Sequence, residues 1–158
     1  MITGTTMTLP VDAVVQRLKA IFLSPRRDES RRLLELVPIL RLSHPNVLVV
    51  GPAAETDRLF EQMGQYLRTP IASWAPRETP HPPTTSHRTL VIRDVDGLSA
   101  VQQESLVGQL CRTAGDLQVV AISGAPLFPL VKRGVFLDRL YYQLNVVLLE
   151  VTDDRWAN

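Results

Sequence analysis

Two rhythms of apolar residues alternate along the chain. Val11, Val14, Val15, Leu18 and Phe22 recur every three or four positions, and so do Leu33, Leu36, Val37 and Leu40. That period is the stripe of an amphipathic helix. Ser24-Pro25 is placed to stop the first helix and cap the second, and Pro38 predicts a kink or an end within the second. The rhythm then changes. Asn46-Val-Leu-Val-Val50 is short, rich in β-branched residues and closed by Gly51, as a buried strand would be. Leu59, Phe60, Met63 and Leu67 predict a helix behind it. Further strands are predicted at 71–74, 89–94, 117–122 and 145–151, and further helices at 99–112, 126–132 and 136–143. Ser99 is a suitable N-cap, with Leu106, Val107, Leu110 and Cys111 on the inward side of its helix. Pro76, Pro80, Pro82 and Pro83 predict a loop over 76–88. Strands alternating with helices give an α/β fold with a mainly parallel sheet.

Composition narrows the class without changing that picture. A chain of 158 residues suffices for one domain, expected over residues 28–152, with an N-terminal tail and helix at 1–27 and a tail at 153–158. Apolar residues make up 45% and charged residues 21%, which argues against global disorder. A net charge of +1 supplies no field toward nucleic acid or an anionic membrane. The single cysteine, Cys111, excludes an internal disulfide and fits a reducing compartment. No apolar run reaches the length of a membrane span, and residues 1–8 lack a signal peptide's basic and apolar regions. A cytoplasmic protein is expected.

The chemistry on offer is sparse. Leu90 to Ile92 is an apolar run that ends in Arg93-Asp94-Val95-Asp96-Gly97, so a buried strand would deliver carboxylates to a sheet edge. Taken alone, Asp94 and Asp96 read as turn or cap residues, and Tyr141 and Tyr142 as packing. His81 and His87 stand in the proline-rich loop without a second group of ligands, so no metal is expected. Cys111 has no histidine or cationic motif beside it and reads as a small buried hydrophobe. Arg26, Arg27, Arg31 and Arg32 read as a solvated helix start, with a phosphate-binding patch as the sharper alternative.

Two stretches carry a specific resemblance. Arg88-Thr-Leu-Val-Ile-Arg-Asp-Val-Asp-Gly-Leu98 and Gly134-Val-Phe-Leu-Asp-Arg-Leu-Tyr-Tyr-Gln-Leu-Asn-Val146 together resemble the central AAA+ domain of the sigma-54-dependent transcription activators. The likeness covers roughly residues 28–152, with soft boundaries. It implies a three-layer, P-loop NTPase-like α/β fold. It also implies roles for individual positions, most of which are altered here. Gly51-Pro-Ala-Ala-Glu-Thr-Asp-Arg58 stands where the family carries the glycine-rich phosphate-binding (Walker A) loop, and Asp57 falls at its lysine position. Arg58 occupies the hydroxyl or acidic position just after it. Arg93 replaces the magnesium-linked aspartate, and Asp94 stands one methylene short of the water-polarising glutamate. Gln102, Gln103 and Leu106 echo the family's glutamine-bearing helix. Ser123-Gly124 replaces the Thr-Asn of the sensor strand. The two arginines that reach a neighbour's nucleotide are Leu137 and Gln143, and Arg139 falls at an aspartate position. Nothing between Leu67 and Thr89 matches the Gly-Ala-Phe-Thr-Gly-Ala loop that grips sigma-54, and no lid domain or helix-turn-helix is recognised.

The resemblance therefore implies a non-catalytic regulatory or protein-interaction domain, with no cofactor expected. Its partner would be a protein, either itself or an AAA+ relative, with neither direct DNA binding nor membrane attachment. A divergent nucleotide-binding protein is the alternative, with Asp94 positioning water and Arg58 or Arg93 replacing the lysine. A receiver-like signalling domain ranks last. Gly51-Pro-Ala-Ala supplies no early acidic pair, and Lys132 precedes the last predicted strand.

Overall fold

The computed structural model describes residues 29–151, apart from 85 and 114. The helix expected over residues 11–22, the side chains of the arginine cluster and the tail after 152 lie outside the described residues. The order is α1 (Glu29–Ser43), β1 (Val47–Val50), α2 (Ala53–Met63), β2 (Ile71–Trp74), β3 (Thr89–Ile92), α3 (Ala100–Arg112), β4 (Gln118–Ser123), α4 (Phe128–Lys132), α5 (Asp138–Leu144) and β5 (Val147–Glu150). Two 3-10 turns, Gly64–Tyr66 and Val95–Gly97, come after α2 and β3. The five strands form one sheet in the order β2-β3-β4-β1-β5, and every pairing is parallel.

Because side chains alternate across a strand, each strand feeds two cores. Leu48, Val50, Leu90, Ile92, Val119 and Ala121 face α3 and the α4–α5 segment, where they meet Leu106, Leu110, Phe136, Leu140 and Leu144. Val47, Val49, Val91, Val120 and Ile122 face the other way, onto Leu36 and Leu40 of α1 and Leu59 and Met63 of α2. Helices on both faces make the three-layer fold expected, and they explain why β1, β3 and β4 are buried along their whole length. Among the described residues, no helix is long and apolar enough to cross a membrane.

One alternative is decided and two local expectations need correction. Helix α1 runs through Pro38 rather than ending there. Proline removes the N–H that Leu34 O would accept, but Leu34 and Pro38 lie on the exposed side, where water can serve that carbonyl. Helix α2 stops at Met63, and Leu67 reaches the core only after a 3-10 turn. Cys111 is exposed, not buried. The inward stripe of α3 is Gln103, Leu106, Val107 and Leu110, and each residue turns the helix by about 100°. Cys111 therefore sits past the margin of that stripe, where its Sγ accepts a hydrogen bond from Gln143 Nε2 at 3.7 Å. At the other end of α3, Ser99 caps as expected. Its Oγ accepts from Gln102 N at 3.2 Å, and Gln102 Oε1 accepts from Ser99 N at 2.9 Å.

Candidate functional site

The C-terminal ends of β1, β3 and β4 are where a parallel α/β sheet presents ligand-binding groups. At the end of β1, Gly51 donates its N–H to Ser123 O at 3.0 Å, tying it to the end of β4. Its φ is +156°, and a Cβ there would stand 2.5 Å from Val151 O. Only glycine permits that approach. Beyond Pro52 the chain forms a helix at once, with no intervening loop. Pro52 O accepts from Glu55 N at 3.1 Å and from Thr56 N at 2.9 Å, so α2 is already wound from Ala53. Thr56 is buried and donates its Oγ1 hydrogen to Ala53 O at 3.0 Å. The amides of Glu55 and Thr56, which a phosphate-wrapping loop would leave open, are used inside the first turn.

Asp57, one turn further along α2, meets Arg93 just beyond β3. Arg93 Nη1 and Asp57 Oδ1 are 2.5 Å apart, with both side chains about half exposed. The guanidinium also lies 5.8 Å from the centre of the Phe60 ring, a cation–π distance. The backbone N–H of Arg93 donates to Trp74 O at 2.8 Å, which fixes the segment against β2. Arg58 turns elsewhere, with its Nη1 3.4 Å from Glu55 Oε2. Asp94 takes a left-handed conformation, φ +50° and ψ +49°, and its carbonyl accepts from Gly97 N at 2.8 Å. Its carboxylate is exposed, and among the described residues it has no side-chain partner. Ser123 is buried and turned on its own chain, donating from Oγ to Ala125 O at 2.5 Å.

The fold thus brings together Gly51 with Ser123 and Asp57 with Arg93, and it leaves Arg58 and Asp94 outside both pairs. The resemblance singled out Asp57 and Arg93 as positions but not as a contact. Its signal was that the two positions carry opposite charges.

The second stretch is held from inside. Gln103 is 2% exposed; its Nε2 donates to Leu98 O at 3.0 Å and to Val135 O at 3.1 Å, and its Oε1 accepts from Leu137 N at 2.8 Å. One side chain therefore clamps the N-terminal end of α3 to the approach to α5. Phe136, Leu140 and Leu144 fill the core, and Gly134 turns the chain at φ +71°. Asn145 Nδ2 donates to Tyr141 Oη at 2.9 Å. Arg139 is ion-paired with Glu104 of α3 in the same chain. Sequence reasoning missed the Gln103 clamp, since a glutamine on a helix carries no mark of burial.

A five-stranded parallel sheet in this order, layered between helices and with a glycine turn leading from β1 into α2, defines a P-loop NTPase-like AAA+ domain. The sigma-54 interaction domain family matches residues 29–153, and the chain belongs to that family. Among solved structures, it is similar to NtrX from Brucella abortus in complex with ADP. That match has 13% identity and a TM-score of 0.63, and covers 91% of this chain and 41% of NtrX. It is also similar to the P-loop NTPase domain of a sigma-54 activator from E. coli, with 18% identity, a TM-score of 0.53 and coverage of 73% of this chain and 99% of that one. The RuvB Holliday junction branch migration motor of Thermotoga maritima shares the fold at 15% identity and a TM-score of 0.51, with 78% of this chain and 44% of that one covered. The chain spans about two fifths of the length of the NtrX it matches. No curated protein sequence matches it significantly.

Proposed function

We propose that this domain is a non-catalytic protein-interaction module of transcription regulation, derived from an activator ATPase whose nucleotide site it no longer operates. The observation that carries the reading is the helix beginning at Ala53, with Asp57 ion-paired to Arg93. A triphosphate needs open backbone amides and a cation at the β- and γ-phosphates. Here two of those amides are used within the helix, and a carboxylate stands at the expected cation position. Arg139, the arginine nearest the expected trans-acting positions, is paired with Glu104 of its own chain. Altered grip, metal position and trans-acting arginines all bear on one reaction, while the buried frame of the fold is kept. That pattern supports a pseudoenzyme, and the family relationship supports a protein as its partner.

The test is calorimetric titration of the purified chain with ATP and ADP, with and without magnesium, its oligomeric state followed by light scattering. No heat of binding from folded protein is expected. Micromolar, magnesium-dependent binding would defeat the reading. It would favour a second one, a divergent nucleotide-binding domain in which the exposed carboxylate of Asp94, held in a left-handed turn at the sheet edge, orients water. Asp94→Asn would then abolish any hydrolysis while sparing binding.

A further inference from the structure

Four of the eight exposed large apolar side chains among the described residues fall within residues 128–146, so apolar exposure is concentrated there. The same stretch already supplies Phe136, Leu140 and Leu144 to the core. Its outer side chains are therefore not a by-product of an unfilled interior. They are linked to one another: the Phe128 and Tyr141 rings are 5.9 Å apart, and the Tyr141 and Tyr142 rings 5.3 Å apart in an edge-to-face arrangement. Tyr142 is 66% exposed, and Val146, just past the end of α5, is 45% exposed. Clustered exposed aromatics are what interface centres are made of, whereas isolated exposed apolar residues are ordinary.

The edge of this face is positive. Lys132 Nζ lies 4.9 Å from the centre of the Phe128 ring, and Arg133 comes next at the end of α4. Among the described residues neither cation has a carboxylate within ion-pair distance, although Arg139 nearby has found Glu104. Two uncompensated cations beside an aromatic surface select against basic partners and favour carboxylates next to apolar anchors.

We propose that the face formed by Phe128, Tyr141 and Tyr142 docks an acidic amphipathic protein segment. Its apolar side chains lie on the aromatic surface and its carboxylates meet Lys132 and Arg133. This names the partner chemistry for the protein-interaction reading above and rests on it. Nucleotide titration tests that reading and peptide selection tests this surface, so the two fail separately.

The experiment is selection of a random peptide display library on the full chain, then affinity measurements with the recovered peptides. Expected are peptides that combine Asp or Glu with Leu, Phe or Trp, bound more weakly as salt rises. Tyr142→Ala and Phe128→Ala should each weaken binding about tenfold or more. Lys132→Glu with Arg133→Glu should remove most of the salt dependence. Since α4 has no buried residue and Tyr142 is exposed, these variants should melt close to the parent chain. The proposal is overturned if no peptide is enriched, if the recovered peptides lack acidic residues, or if Tyr142→Ala binds them undiminished. It is also overturned if sedimentation shows a dimer that Tyr142→Ala dissociates, because a second copy of the chain would then be the occupant.

Discussion

Two regions of the molecule, residues 134–146 and the Asp57–Arg93 pair, are held in opposite ways. Around residues 134–146 three hydrogen bonds converge on the buried Gln103 and the apolar frame lies inside, while the ion pair of that stretch, Arg139 with Glu104, stays exposed. Around Asp57 and Arg93 the contact is a half-exposed ion pair between two side chains. The first kind of contact is hard to disturb, because every replacement strands a buried group. The second is easily lost, because water can serve either partner. A chain released from catalysis would therefore be free to change its site residues while its fold residues stay fixed. Under the proposed function, that is how the positions that the resemblance marks as altered are distributed.

The contrast is open to test, and the largest effect should come from the frame. Phe136→Ala removes a core side chain 3% exposed and should cost about 3–5 kcal/mol in urea unfolding. A loss under about 1 kcal/mol would mean that residues 134–146 are no better anchored than the Asp57–Arg93 pair. Next comes the clamp. Gln103→Ala leaves Leu98 O, Val135 O and Leu137 N without their partner and should cost about 2–3 kcal/mol in all. Hydrogen exchange should rise first over 134–138, and uniform exchange across the chain would count against a local clamp. Ser99→Ala removes one half of the capping box and should lower stability by about 1 kcal/mol, read as a shift in the urea midpoint.

The smallest effects should come from the charge pair. Asp57→Ala and Arg93→Ala should each change stability by no more than about 0.5 kcal/mol, with a coupling of about 0.2–1 kcal/mol that fades with salt. A coupling several times larger would make the pair a structural anchor and erase the contrast. Finally, Asp57→Lys combined with Arg93→Asp restores the expected charges without unwinding α2. It should still show no ATP binding by calorimetry, since Pro52 O keeps the amides of Glu55 and Thr56. Recovery of binding would mean that charge, and not the wound backbone, keeps nucleotide out.

Much of the fold was legible because its signals are local. A run such as Val47–Val50 buried along its whole length, or a cap such as Ser99 with Gln102 three residues on, is written within a few positions. Pro38 left two outcomes open because its effect depends on whether the bereft carbonyl faces water, and Cys111 misled because one helical step at the stripe's edge separates core from solvent. The candidate site was legible only as a set of positions that the resemblance singled out. What Gly51, Asp57, Arg58, Arg93, Asp94 and Ser123 do is set by distances between segments far apart in the chain.

Periodicity and residue type were enough to establish that strands and helices alternate, which faces are apolar, and where the family frame lies. Packing in three dimensions was needed to establish that Asp57 meets Arg93 across 36 positions of sequence, that Gln103 reaches Val135 across 32, and that α2 starts without a loop. The cause is the same for both long-range contacts. A pair contact exists only when two chain segments are brought within hydrogen-bonding reach, and that distance is fixed by how both pack on the sheet.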